Sequence, residues 1–183
     1  VLVDVDLDTF NINALEVQNA AVSAKVKAIM PVHLLGRPCN MDALEILAER
    51  HNLIDIEDAC EAHGAEYQGR KVGNCGDLAT FSFNFSHHIS TVEGGMVVTN
   101  SDERADFCRS MRSFGLSRDV PHEPVEGIDE RFLFLRAGYN FKPTEFQGAF
   151  GIHQLPRLEH IIQHRRAVAA YWNGALKPYE QWL

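Results

Sequence analysis

Gly76-Asp77-Leu78-Ala79-Thr80-Phe81-Ser82-Phe83-Asn84-Phe85-Ser86-His87-His88-Ile89-Ser90-Thr91-Val92-Glu93-Gly94-Gly95-Met96-Val97-Val98-Thr99 holds two short apolar runs joined by a polar crossing. Residues 79–83 are aromatic and β-branched, the composition of a buried strand. Residues 96–99 form a second apolar run, entered through Gly94-Gly95, where the chain can turn tightly. Between the runs stand hydroxyls, two histidines and a carboxylate. Polar groups packed between two buried strands must be satisfied, and a ligand is one way to satisfy them.

The flanks repeat one pattern. Residues 26–32 read as an apolar strand that ends in the Gly36/Pro38 turn. Asn40 is placed to cap a helix over residues 41–51, with Leu44, Leu47 and Ala48 at inward spacing. Residues 53–58 form the next strand. Strand, helix and strand with short connections predict an α/β fold. The expected architecture is a three-layer, mostly parallel sheet with helices on both faces, whose ligands gather at the carboxyl ends of the strands.

The rest of the chain fits around this unit. Residues 2–8 alternate apolar and acidic side chains and predict an opening strand, followed by a helix near 14–19. Residues 68–73 predict a hairpin turn. Asn100-Ser101-Asp102 predicts the cap of a helix that runs to about Phe114. Residues 117–131 are charged, contain two prolines and lack helical period, which predicts an exposed loop. A helix through residues 147–154 is followed by another, opened by Pro156 and reaching Leu176. Its expected apolar stripe is Ile161, Ile162, Val168 and Tyr171, with Arg157, His160, His164, Arg165 and Arg166 solvated.

The chain has 183 residues, 45% of them hydrophobic and 23% charged, which suffices for one domain with a real core. A formal net charge of −8 disfavours nucleic acid or an anionic membrane as partner. No apolar run approaches transmembrane length, and no signal-peptide pattern opens the chain. Cys39, Cys60, Cys75 and Cys108 are scattered, form no close-spaced metal pattern and read as reduced thiols of a cytoplasmic protein.

The central stretch resembles the coenzyme-lysine segment of the DegT/DnrJ/EryC1/StrS sugar aminotransferases, of pyridoxal phosphate fold type I. In that family a serine-containing strand leads to a coenzyme-binding lysine and then to a Glu-Gly-Gly turn. Here His87 stands in the lysine's place. The pair His87-His88 before Ile89-Ser90-Thr91 resembles the lysine-less GDP-4-keto-6-deoxymannose 3-dehydratase subgroup, which uses pyridoxal and pyridoxamine phosphate. Gly138-Tyr139-Asn140-Phe141-Lys142 resembles the family's Gly-Tyr-Asn-x-Arg motif. Against the family, residues 1–183 look like part of the coenzyme-binding large domain, with the last helix leading toward a smaller C-terminal domain.

The resemblance implies roles residue by residue. Asp58 would pair with the protonated pyridine nitrogen of the coenzyme and keep the ring electron-withdrawing. Glu61 stands where the family often has Gln, beside the ring's 3-oxygen. Ser82 would meet the coenzyme phosphate. Asn140 would reach the phosphate of a neighbouring subunit, which implies a homodimer with shared sites. Lysine binds pyridoxal phosphate covalently and imidazole cannot, so the coenzyme would be held without a covalent bond. His87 would then be the general base of a 3-dehydration. The implied substrates are a nucleotide-linked 4-keto-6-deoxy sugar and L-glutamate as amino donor.

Other readings remain open on the residues alone. Adjacent histidines in a strand point to opposite faces and chelate poorly. They could equally be structural. A nucleotide-sugar aminotransferase would need Lys71 or Lys142 as its lysine. An iron–sulfur-linked CDP-sugar 3-dehydrase would need clustered cysteines, and only Cys108 follows His88. A non-catalytic, coenzyme-binding homologue would retain Asp58 and Ser82.

Overall fold

The computed structural model describes residues 1–23, 25–118 and 120–182. Its centre is a four-stranded sheet in the order β1-β2-β5-β6, made of Ala28–Ile29, Ile54–Asp58, Leu78–Ser82 and Gly95–Val98. The first three strands run parallel and β6 returns antiparallel. The connection from β1 to β2 is the helix α2 (Met41–His51), as the strand-helix-strand pattern requires. Asn40 caps α2 by accepting from the Ala43 N–H at 3.3 Å. Asn52 closes it in the left-handed conformation.

One flanking layer is α2 together with α1 (Ala14–Ala21). Val17, Ala21, Ile29, Cys39, Met41, Leu44, Leu47, Ala48 and Leu53 form the main core beneath it. A short hairpin of β3 (Glu66–Tyr67) and β4 (Arg70–Lys71) follows β2. A second, smaller cluster of Ala59, Ala62 and Val72 packs with Phe81. The helix α3 (Asp102–Arg112) follows β6, capped by Ser101 accepting from the Arg104 N–H. The chain ends with α4 (Glu145–Gln154) and α5 (Leu158–Leu176). No helix among the described residues is long and apolar enough to cross a membrane.

Four local expectations are corrected. Residues 2–8 form no strand: Asp6 Oδ1 accepts the N–H groups of Asp8 and Thr9, each at 3.0 Å, and bends the chain into a turn. Only the single bridge between Val5 and Ile12 remains. β6 is not buried, since Met96 and Val97 are exposed on the last strand of the sheet. His87 and His88 lie in a turn after β5 rather than in a strand. On α5 only Ile162 of the expected stripe is buried, whereas Tyr171 is 71% exposed.

The middle strand inverts the usual pattern. Ile54 is 40% exposed, while Asp55 and Glu57 point inward. Glu57 is stabilised by partners described below, but both carboxylate oxygens of Asp55 are buried without a hydrogen bond among the described residues. Burial first, then the charges of Glu57, Glu45 and Asp77, raise the Asp55 carboxyl to about 7. A raised carboxyl favours the fold at low pH, and that contribution is lost as pH climbs from about 4 to about 7. Asp55→Asn is therefore expected to stabilise the full-length protein by on the order of 2–4 kcal/mol at pH 7.5 and by almost nothing at pH 4. Denaturant titrations at the two pH values check this.

Gly138 opens the second motif string, and its need for glycine is steric. A Cβ there would collide with the backbone of Phe114 and Gly115. The close approach lets the Tyr139 N–H donate to the Met111 carbonyl and the Phe114 N–H to the Tyr139 carbonyl, each at 2.7 Å. This fixes the string against the end of α3.

Candidate functional site

The site lies at the carboxyl ends of β2 and β5, where strand backbones end and side chains and turns take over. Parallel registry sets Asp58 opposite Thr80, and Ser82, two residues on, shares Thr80's face. Asp58 Oδ1 accepts from the Cys60 N–H at 3.1 Å, and the Cys60 sulfur lies 3.8 Å from the Thr80 hydroxyl. Asp58, Cys60, Thr80 and Ser82 are all half-buried. All four cysteines are free thiols.

The position of Asp58 is set from the other face. The Asp58 N–H donates to the Pro31 carbonyl at 2.8 Å, and the His33 N–H donates to the Asp58 carbonyl at 3.0 Å. His33 and Glu57 are both fully buried, at 0% exposure. His33 Nδ1 accepts from the Cys39 N–H at 3.1 Å, so its proton sits on Nε2 and donates to Glu57 at 3.0 Å. Glu57 also accepts the N–H groups of Gly73, Cys75 and Gly76, each at 2.8 Å. Burial by itself would raise the Glu57 carboxyl, but these four hydrogen bonds outweigh it and hold the carboxyl below its ordinary value. Sequence reasoning passed over Glu57. Its only signal was an acidic residue inside a strand.

The turn from Phe83 to Gly94 carries the histidines and is closed at its base. The Phe83 N–H donates to the Gly94 carbonyl at 2.8 Å, and the Thr91 N–H donates to the Phe83 carbonyl at 2.9 Å. The Asn84 amide donates to both carboxylate oxygens of Glu93 at 3.0 Å. Gln147 of α4 adds a long-range tie, donating to the Glu93 carbonyl at 2.7 Å. Val92 is held at φ 72°, a region a β-branched side chain enters only under strain. Ser82 Oγ accepts from the Asn84 N–H at 3.2 Å, and the His87 N–H donates to the Asn84 carbonyl at 3.1 Å.

A third histidine underlies the pair. His63 is 5% exposed and packs between Phe81 and Phe83, with ring centroids 5.4 and 5.7 Å away. The His87 and His88 rings lie 6.3 and 5.5 Å from it. Neither ring nitrogen of His63 makes a well-formed hydrogen bond among the described residues, the Ser82 backbone being its one weak approach, and His88 Nδ1 has no partner among them. Burial, then the neighbouring His88 and His87, push His63 down to about 4. Burial, then Arg165 and His87, lower His88 as well. No group of three histidine, cysteine or acidic side chains is placed to hold a metal among the described residues.

The other predicted residues divide. Glu61 sits near this cluster, with one carboxylate oxygen accepting the Leu35 N–H at 2.8 Å. Asn140 lies elsewhere, exposed, in a bridge with Ser113 at the end of α3. Lys142 stacks over the Phe114 ring at 4.9 Å. Lys71 pairs with Glu66 at 2.6 Å on the hairpin. Neither lysine belongs to the turn that carries His87. Arg165 and Arg166 are exposed, as expected, and also line a cleft of about 140 Å³ together with His63 and His88.

The donor set fits a pyridine coenzyme. A carboxylate stands at a strand end for a ring N–H, and hydroxyls share its face for a phosphate. Histidine stands in the turn, and no lysine lies between Lys71 and Lys142.

Residues 1–182 match the DegT/DnrJ/EryC1/StrS aminotransferase family. GDP-perosamine synthase of Caulobacter vibrioides is 44% identical over 172 residues, covering 93% of this chain and 43% of the relative. The Escherichia coli GDP-4-keto-6-deoxy-D-mannose 3-dehydratase with bound hydrated pyridoxal phosphate superposes with a TM-score of 0.86 at 36% identity, covering 96% of this chain and 46% of that one. A variant 3-dehydratase, with lysine for a histidine and asparagine for the serine immediately before it, superposes at 0.87 and 35% identity over 96% of this chain and 48% of its own. The chain spans about half the length of the curated relatives it matches.

Proposed function

The chain belongs to the DegT/DnrJ/EryC1/StrS aminotransferase family, and from that premise we propose that it is part of the coenzyme-binding domain of a 3-dehydratase acting on a nucleotide-linked 4-keto-6-deoxy sugar. The observation that carries this reading is His87 in a turn that holds no lysine, directly preceded by Ser86. A serine followed by a histidine is the pair replaced in the variant 3-dehydratase, and His88 lacks that preceding serine. This favours His87 over His88.

Bound pyridoxamine phosphate supplies a primary amine and an electron-accepting ring, the chemistry needed to expel a C3 hydroxyl beside a C4 ketone. Asp58 accepts the ring N–H and holds that proton in place. Ser82 and, from a second copy of the chain, Asn140 hold the phosphate. Glu61, with one carboxylate oxygen already accepting the Leu35 N–H, would meet the ring's 3-oxygen. His87 moves the proton, taking it at its imidazole from the carbon next to the ring. L-Glutamate provides the amino group, and the net products are 2-oxoglutarate, ammonia and a 3-deoxy-4-keto sugar.

Two measurements on the full-length protein test this. With pyridoxal phosphate, L-glutamate and a GDP-4-keto-6-deoxy sugar, ammonia is expected to form in step with the deoxygenated sugar. A stable amino sugar would instead make it an aminotransferase like GDP-perosamine synthase. Borohydride added to the resting protein with pyridoxal phosphate is expected to fix no coenzyme to any side chain. A covalent adduct on Lys71 or Lys142 would overturn the unlinked coenzyme.

A further inference from the structure

We propose that the cleft between α5 and the turn carrying His87 and His88 binds a small oxyanion, a carboxylate or a phosphate, between Arg165, Arg166, His63 and His88. The cleft is lined by those four side chains and by Leu35, Gly36 and Ile162. His63 is about nineteen-twentieths buried, and its ring nitrogens make no well-formed hydrogen bond among the described residues beyond a weak approach to the Ser82 backbone. His88 Nδ1 has no partner among them. Buried polar nitrogens left unpaired cost more than a made hydrogen bond gains. His63 and His88, which carry them, both line the one cleft.

The charge around the cleft selects the ligand. Arg165 and Arg166 form no ion pair with a described residue. The two carboxylates that act on this cluster are already engaged. Glu61 accepts the Leu35 N–H at 2.8 Å, and Glu66 pairs with Lys71 at 2.6 Å. Two planar guanidinium forks beside imidazole N–H donors match an oxyanion and not a cation. The inference concerns groups below and beside His87 rather than the face carrying Asp58 and Ser82, and only its amino-donor outcome rests on the reaction proposed above.

Calorimetry on the full-length holoenzyme tests it, with inorganic phosphate, acetate and L-glutamate as separate titrants. Coenzyme is loaded first so that its own phosphate site is filled. Saturable binding of phosphate or acetate is expected, since L-glutamate, alone of the three, also reacts at the coenzyme. Arg165→Gln/Arg166→Gln, both exposed on α5, is expected to weaken it about tenfold or more, and His63→Phe is expected to weaken it with the ring packing kept. Phosphate binding that L-glutamate displaces and acetate does not makes the site the amino donor's. Phosphate binding that L-glutamate leaves untouched makes it an inorganic-anion site. Either supports the proposal. No saturable binding of phosphate or acetate, or binding unchanged in the double arginine variant, overturns it.

Discussion

His87→Asn in the full-length protein is expected to lower deoxysugar formation about a hundred- to ten-thousandfold, the range for losing a positioned general base. Coenzyme affinity should change little, because Asp58 and Ser82 are untouched. His88→Asn is expected to cost less than about tenfold, since His88 lines the α5 cleft rather than following Ser86 in the proposed base position. His87→Lys adds an amine nucleophile to a turn that has none, so it is expected to lose dehydration and to gain a borohydride-fixable coenzyme. Product assays and absorbance spectra of the three variants read all of this. If His87→Asn keeps most of its activity while His88→Asn loses it, the base is His88.

The largest stability loss is expected from Glu57→Ala. It removes the acceptor of four hydrogen bonds at once, leaving His33 buried beside a void and the N–H groups of Gly73, Cys75 and Gly76 unpaired. Each buried donor left unpaired costs about 1–3 kcal/mol, so the four together imply a fall of roughly 10 °C or more in melting temperature for a protein of this size class. Glu57→Gln keeps one acceptor oxygen and is expected to fall between. The pH signs of Glu57 and Asp55 oppose each other. Because the Glu57 carboxyl is held below its ordinary value near 4.5, its contribution is complete above that pH and is lost as pH falls through the lowered value. Glu57→Gln should therefore flatten acid unfolding below about pH 4.5, whereas Asp55→Asn flattens the slope above it. Thermal melts across pH 3–8 separate the two.

Because the Pro31–His33 segment also holds the Asp58 backbone, the Glu57 variants should weaken coenzyme binding alongside stability. Asp58 is thus supported by a buried charge on the opposite face of its own strand. That coupling could not be seen in the run Leu53-Ile54-Asp55-Ile56-Glu57-Asp58, whose alternation suggests isoleucines inward. The structure places the acids inward because His33 lies 24 residues away in sequence and the Gly73–Gly76 turn folds back with three free N–H groups.

Local hydrogen bonds and short-range periodicity settled much from the residues alone. Asn40 and the helix over residues 41–51, the Ser101 cap, the strand ending at Ser82 and the parallel α/β order all follow from signals within a few positions of each other. The Ser86-His87-His88 string and the absence of lysine between Lys71 and Lys142 are likewise legible, because they are matters of identity rather than shape. The opening segment failed because Asp6 bonds the N–H groups just after it, which outweighs a weak strand alternation. Only tertiary contacts decided the inward face of β2, the seat of His63 beneath His87 and His88, and the arrival of Arg165 and Arg166 beside them. Those positions are fixed by the burial of distant side chains against one another, and no window of sequence contains both partners.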